Sequence, residues 1–153
     1  MNLRRISVRS LACAAAALPG LAWAPTASGQ PNVATDSAVF VERAETGNLR
    51  SLEPADRLRP GDRIVTILTW YRMGGYGDFT VTNPLPRSIA YERSARDDQE
   101  VSVDGGRNWG RLSELRIGGR MATPEDVTHM RWRVPAASAT RGRGQLVYSG
   151  IVR

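Results

Sequence analysis

The stretch Ser102-Val103-Asp104-Gly105-Gly106-Arg107-Asn108-Trp109 says most about how this chain folds. Two adjacent glycines after an acidic residue supply the positive backbone φ that a tight hairpin turn needs. The carboxylate of Asp104 can accept hydrogen bonds from the turn amides, and Trp109 can fold back over the corner. The stretch therefore predicts a β-hairpin and, with it, a chain built from strands.

The spacing Ser-x-Asp-x-Gly-x-x-Trp resembles the Asp-box of sialidases and related propeller proteins. That motif implies a turn-stabilising hairpin rather than a catalytic element, so structural roles are expected for Ser102, Asp104, Gly105, Gly106 and Trp109. The motif occurs once in this chain. A propeller repeats a four-stranded blade of about 40–50 residues several times, and 153 residues cannot supply that. We therefore expect a structural turn and no sialidase-like activity.

The first 29 residues have the pattern of an export signal. Three arginines precede the apolar run Leu11–Leu18, and small residues follow it. The run is shorter than the roughly 20 apolar residues of a membrane-spanning helix. Ala27-Ser28-Gly29 is the favoured cleavage site, which predicts a mature start at Gln30 and a periplasmic or extracellular location. Both the general secretory and the twin-arginine routes stay open.

Charge and cysteine content narrow the range of functions. The predicted signal contains three arginines and no acid, so its removal lowers the formal net charge from +6 to +3. No basic block with interleaved aromatic residues follows, and nucleic-acid binding is therefore not expected. The single cysteine, Cys13, lies in the signal, so the mature chain has no disulfide and no cysteine nucleophile or metal ligand. About 124 residues remain, which is enough for one domain.

The strongest strand pattern is Arg63–Tyr71, which is rich in β-branched and aromatic residues. A period of two gives it two apolar faces: Ile64, Thr66, Leu68 and Trp70 on one, and Val65, Ile67 and Tyr71 on the other. We therefore expect a central strand that is well covered on both faces.

Short strand patterns with turns every 8–12 residues, and no amphipathic helix, predict an all-β fold. We expect an immunoglobulin-like antiparallel β-sandwich of about 7–9 strands. It should span residues 38–153 and follow a flexible leader of residues 30–37. Trp70 and Trp132 are expected as core anchors, each contributing on the order of 3 kcal/mol when buried.

An ordered set of short motifs resembles the bacterial conserved-repeat domain family, also called domain of unknown function eleven. The resemblance spans about residues 38–152 and implies an immunoglobulin-like sandwich in exported, often surface-associated proteins, without catalysis. The motifs, in order, are Pro60-Gly61-Asp62, Val81-Thr82-Asn83-Pro84-Leu85-Pro86, Ser94-Ala95, Ser102-x-Asp104-Gly105-Gly106, Thr128-His129-Met130-Arg131-Trp132 and the final strand from Gly144 to Tyr148.

Candidate chemical sites are sparse, and we expect no catalytic, cofactor or metal site. His129 is the only histidine, and the chain has no Gly-x-Ser-x-Gly elbow to supply a nucleophile. One histidine with scattered carboxylates is poor support for zinc. The acids at Asp97, Asp98 and Glu100 lack the spacing of a calcium loop.

Alternation along Thr128–Val134 directs His129, Arg131 and Arg133 outward, which makes them a speculative binding face. A wider basic face for acidic glycans or lipid head groups would add Arg141, Arg143 and Arg153.

Three functions stay open at the level of sequence. The first is a non-catalytic module that contacts an envelope or extracellular protein, with strand addition at a sheet edge as one route. The second is an accessory carbohydrate-binding module, suggested by the Asp-box spacing and by aromatic residues near loops. The third is a hydrolase that uses His129. The aromatic residues in question are Tyr71, Tyr76, Tyr91 and Trp109.

Overall fold

The computed structural model describes residues 31–44 and 50–153 of the chain, so the predicted signal, residues 1–29, lies outside the described residues. The described part contains ten strands and one four-residue helix, α1 (Ala136–Ala139). The strands are β1 (Asn32–Ala44), β2 (Arg50–Pro54), β3 (Arg63–Gly74), β4 (Phe79–Pro84), β5 (Ile89–Ser94), β6 (Glu100–Ser102), β7 (Arg116–Ile117), β8 (Arg120–Met121), β9 (His129–Val134) and β10 (Arg143–Val152).

The strands form two main antiparallel sheets that pack face to face. The large sheet has the order β2-β1-β3-β10-β5, and the small sheet has the order β4-β9-β6. The two-residue strands β7 and β8 pair separately. The predicted all-β sandwich is confirmed, with ten strands in the described part where about 7–9 were expected. In an immunoglobulin domain the last strand joins the sheet of strands C and F, whereas here the last strand lies between β3 and β5 of the large sheet.

The core fills the space between the two sheets and has tryptophans at its centre. Trp132 of the small sheet is 0% exposed, and Trp70 of the large sheet is 4% exposed. The Trp132 indole N–H donates to the hydroxyl of Ser94 at 3.2 Å, which satisfies its one polar group inside the core. The predicted inner face of β3 is also confirmed, because all four of its side chains are buried: Ile64, Thr66, Leu68 and Trp70.

The structure corrects the prediction for the start of the domain. Residues 32–37 belong to β1 and pair with β3, so the expected flexible leader is wrong for them. Most of their side chains are exposed. An exposed strand leaves no apolar period of two in the sequence, which is why the pattern was missed.

Short helical turns also lie between the strands. Leu112–Glu114 form a 3₁₀ turn just before β7. The connection between β9 and β10 contains α1, whose Ala139 is fully buried.

Candidate functional site

The Ser102–Trp109 segment forms a loop closed by one bridge, in which Val101 and Gly110 exchange backbone hydrogen bonds of 2.8 and 3.1 Å. The loop therefore leaves β6 directly and is not a turn between two full strands. Gly105 and Gly106 have φ values of +79° and +88°, the region that glycine adopts without strain.

The carboxylate of Asp104 organises this loop. Its Oδ1 accepts hydrogen bonds from the backbone N–H of Asn108 at 2.9 Å, the hydroxyl of Ser102 at 2.8 Å and the backbone N–H of Arg107 at 3.1 Å. Its Oδ2 accepts from the Asn108 side-chain amide at 2.6 Å. These bonds, led by the Asn108 backbone amide, hold the pKa of Asp104 well below its usual value of 3.8. Asp104 is therefore held as an ionised acceptor.

A second carboxylate shares this behaviour. Asp126 accepts hydrogen bonds from the Arg120 guanidinium at 2.6 and 2.8 Å and from the Thr123 backbone N–H at 2.8 Å. The Arg120 bond is the main reason that the pKa of Asp126 also lies well below 3.8.

The folded chain is therefore expected to lose stability in acid. Both pKa values are lower in the folded chain than in the unfolded chain. The stability that these groups contribute is thus complete above about pH 5 and is lost as the pH falls through and below the usual carboxyl range. The variant Asp104→Asn cannot ionise at this position. Its urea midpoint should lie below that of the wild type at pH 7, and the gap should narrow as the pH falls below the usual carboxyl range.

The control for this titration is Asp97→Asn, at an exposed position outside the turn. It should follow the wild-type curve. A gap between Asp104→Asn and the wild type that stays constant from neutral to acidic pH would contradict the assigned role of the Asp104 charge.

Trp109 packs over the corner of the loop and contacts the small sheet. Its indole N–H donates to the carbonyl of Gly106 at 2.8 Å. The guanidinium carbon of Arg131 lies 4.6 Å from the Trp109 ring centroid, and the His129 ring meets it edge-on at 6.4 Å. The structure thus brings Trp109 together with His129 and Arg131, two of the three residues of the speculative binding face. The indole N–H and one ring face are already used inside the protein, which leaves Trp109 poorly suited to stack on a sugar.

The arginines of the small sheet are paired with acids. The Nε of Arg131 donates to Glu100 at 2.6 Å, and the Nε of Arg133 donates to Asp78 at 2.8 Å. Both lie on the outer face of the small sheet, as predicted. Arg143, by contrast, pairs opposite Tyr71 in the large sheet. The wider basic face of five arginines therefore does not form on one surface.

His129 lines an open cleft of about 540 Å³, whereas Arg131 and Arg133 do not. Its Nδ1 lies 3.1 Å from the hydroxyl of Thr128. That hydroxyl donates to the carbonyl of Ser102 at 3.1 Å and accepts from the Gly105 N–H at 3.0 Å. These bonds tie His129 into the loop. In residues 31–44 and 50–153, no group of three His, Cys, Asp or Glu side chains is placed to hold a metal ion.

The outer face of the large sheet is apolar, and sequence reasoning missed its exposure. Its apolar side chains are half-buried and lie outside the core cluster, and within the described part of the chain no second layer covers them. The expectation that both faces of β3 are well covered is therefore wrong, because the small sheet packs on one face only. These side chains are Phe40, Val65, Ile67, Val147 and Ile151.

Charged groups of both signs border this apolar face. Glu42 pairs with Arg50 at 2.7 Å, and Glu92 pairs with Arg63 at 2.5 Å. Ser149 lies on the same face in a groove of about 240 Å³ and is only 6% exposed. Three buried polar atoms here have no hydrogen-bond partner among the described residues: Ser149 Oγ, Arg63 Nε and Glu92 Oε2. These atoms are buried beneath the surface, so a ligand that docks on this face meets its apolar side chains and the charged groups at its border.

No family model matches this chain, and no match is found among curated proteins or solved structures. The resemblance to the conserved-repeat domain family stays a prediction. The described residues contain no helix that is long and apolar enough to cross a membrane.

Proposed function

We propose that this protein is an exported, non-catalytic β-sandwich module that binds another protein through the outer face of its large sheet. The observation that carries the proposal is the apolar centre of that face, formed by Phe40, Val65, Ile67 and Val147 with no described layer over it. Contiguous apolar surface rimmed by polar residues is typical of a protein-interaction site. Export is inferred from the pattern of residues 1–29.

The chemistry of the face favours a protein as the partner. Its rim alternates acids and arginines, whereas a nucleic-acid site requires an excess of positive charge. Its centre is aliphatic apart from Phe40, and Tyr71, near the end of β3, is the one exposed ring that the described residues place on this face. Sugar stacking favours several flat exposed rings, so the aliphatic centre favours a protein. A protein surface that is apolar at its centre and polar at its edge matches both features.

The test begins with the capture of binding proteins from an envelope fraction and is decided by binding measurements on the purified components. A captured protein is purified, and its Kd is measured with the wild type, with Ile67→Glu and with the control Thr82→Glu on the outer face of the small sheet. Residue 67 is half-buried on the proposed surface, and Thr82 is exposed. A charge placed in the centre of an apolar interface should weaken binding by at least about tenfold, which corresponds to roughly 1.4 kcal/mol.

Thr82→Glu should leave the Kd unchanged, and both variants should keep the wild-type circular-dichroism spectrum. The proposal fails if no captured protein binds after purification, or if binding is equally strong with Ile67→Glu.

A further inference from the structure

Part of strand β1 forms an open edge of the large sheet. β2 pairs only with residues Phe40–Ala44 of β1. From Asn32 to Val39, β1 pairs with β3 on one side, and no strand of the described residues lies on the other side. The N–H of Ala55 donates to the carbonyl of Val39 at 3.1 Å, so the open edge runs from residue 32 to residue 38.

The direction of the backbone groups along this edge follows from the contacts beside it. Val39 directs its carbonyl to the β2 side, since it accepts from Ala55. Phe40 lies opposite Pro54, which has no N–H to donate. This agrees with Phe40, like the other even-numbered residues, directing its backbone groups toward β3. Backbone groups alternate between the two sides of an antiparallel strand. The outward N–H and C=O groups therefore belong to Val33, Thr35 and Ser37. Of these, the Ser37 N–H donates to Oδ1 of the neighbouring Asp36 at 2.8 Å.

This edge lacks the usual protection against pairing. Natural sheets protect exposed edges with proline, lysine or other charges, bulges, or a covering loop. Residues 33–38 contain no proline, lysine or arginine, pair with β3 in regular register, and include one charge, Asp36. The edge therefore presents a template for one more strand.

We propose that this strand is β1 of a second copy, paired antiparallel across a two-fold axis at Thr35. In this register Thr35 lies opposite Thr35 of the second copy. Val33 of each copy lies opposite Ser37 of the other copy. The Thr35 pair can exchange two backbone hydrogen bonds, because Thr35 directs its groups outward. Each Val33–Ser37 pair can do the same when the exposed Asp36 side chain rotates away from the Ser37 N–H. Asp36 then stands opposite Ala34 of the second copy, so no like charges face each other.

Neighbouring registers do not work. An axis at Asp36 would place two carboxylates directly opposite each other and would pair Val33 with Val39, whose carbonyl is already occupied by Ala55. An axis at Ser37 would require Val39, whose carbonyl is already occupied by Ala55. The axis at Thr35 alone pairs the whole open edge with itself, as a closed two-fold interface requires.

The dimer would join the two large sheets into one continuous sheet. A two-fold axis perpendicular to that sheet places both apolar outer faces on the same side. The edge contact is separate from the outer face, so the dimer does not depend on the partner proposed above.

The experiment measures the mass of the purified protein by light scattering over a micromolar concentration series. The wild type should reach twice the chain mass. Thr35→Pro removes an N–H that faces the open edge, so the pairing of β1 with β3 stays intact while the edge is blocked. We expect this variant to stay monomeric over the same concentrations, because the Kd of its dimer should be at least tenfold higher. It should keep the wild-type circular-dichroism spectrum. Thr35→Val keeps the N–H and should dimerise.

The register is tested by cross-linking in a Cys13→Ser background. Thr35→Cys should form a disulfide dimer on mild oxidation, because paired Cα atoms lie about 5.5 Å apart at such a site. Ser37→Cys should not, since its two copies would lie about 14 Å apart along the strands. A monomeric wild type, a dimer that survives Thr35→Pro, or equal cross-linking at both positions would overturn the proposal.

Discussion

Replacing Trp132 by alanine is expected to remove about 3–5 kcal/mol from the free energy of unfolding. The indole is 0% exposed and sits at the centre of the small sheet, tilted against the ring of Tyr148 at 6.1 Å. Its loss leaves a cavity lined by groups from both sheets and leaves the hydroxyl of Ser94 without its indole donor. Since domains of this size are stable by about 5–15 kcal/mol in total, the variant should be close to unfolded at 37 °C.

Urea unfolding followed by circular dichroism measures this effect. Trp132→Phe keeps most of the ring volume and should lose distinctly less stability. It therefore gives a measurable urea midpoint even if the alanine variant does not fold. Trp109→Ala is the matched control, because that indole is only half-buried on the outer side of the small sheet. A midpoint for Trp132→Ala at or above that of Trp109→Ala would show that the core is not centred on Trp132.

The sequence predicts the fold class because the buried strands carry an apolar period of two. β3 shows this best, since its alternation identifies the four side chains that pack inward. Near Trp132 the alternation of β9 likewise separates Met130 and Val134 from the outward arginines. These patterns reflect burial on one face, which is a local property of each strand.

The same reasoning fails where burial does not follow from the local pattern. Residues 32–37 are mostly polar and exposed, and Val33 is their one side chain packed against the core, so the strand is held mainly by its hydrogen bonds to β3. Conversely, Val65 and Ile67 are apolar without lying under a second layer. Which strands the small sheet covers depends on sheet width and order, and no window of sequence contains that information.

The candidate sites likewise include contacts that are local in sequence, which can be predicted, and contacts between distant segments, which cannot. The spacing from Ser102 to Trp109 predicts the carboxylate-centred turn, because those contacts lie within a few residues. The packing of Arg131 over Trp109 joins two segments that are distant in sequence, so only the structure reveals it. The open edge of β1 is also invisible in sequence, since it exists only because β2 is shorter than β1.

Gly150→Ala is expected to cost about 1–3 kcal/mol or more, although it adds a single methyl group. Gly150 lies in β10 beside β5, where the pairing register shifts. A Cβ at this position would lie 2.5 Å from Cγ2 of Ile89 and 2.7 Å from the carbonyl oxygen of Ala90. The second contact is with backbone, so no side-chain rotation relieves it, and β5 must move away from β10.

Gly74→Ala is the matched control, because it is also a strand glycine but has nothing within 4 Å of the added Cβ. It should be neutral or raise stability by about 0.4–1 kcal/mol through a less flexible unfolded chain. Urea midpoints give the difference in stability between the two variants, and hydrogen exchange of the β5 amides shows which part of the sheet has lost stability. Because the added methyl group forces β5 away from β10, the hydrogen-exchange protection of the β5 amides should fall in Gly150→Ala and stay unchanged in Gly74→Ala. Equal midpoints for the two variants would mean that the large sheet has room at position 150, which contradicts this packing of its last strand.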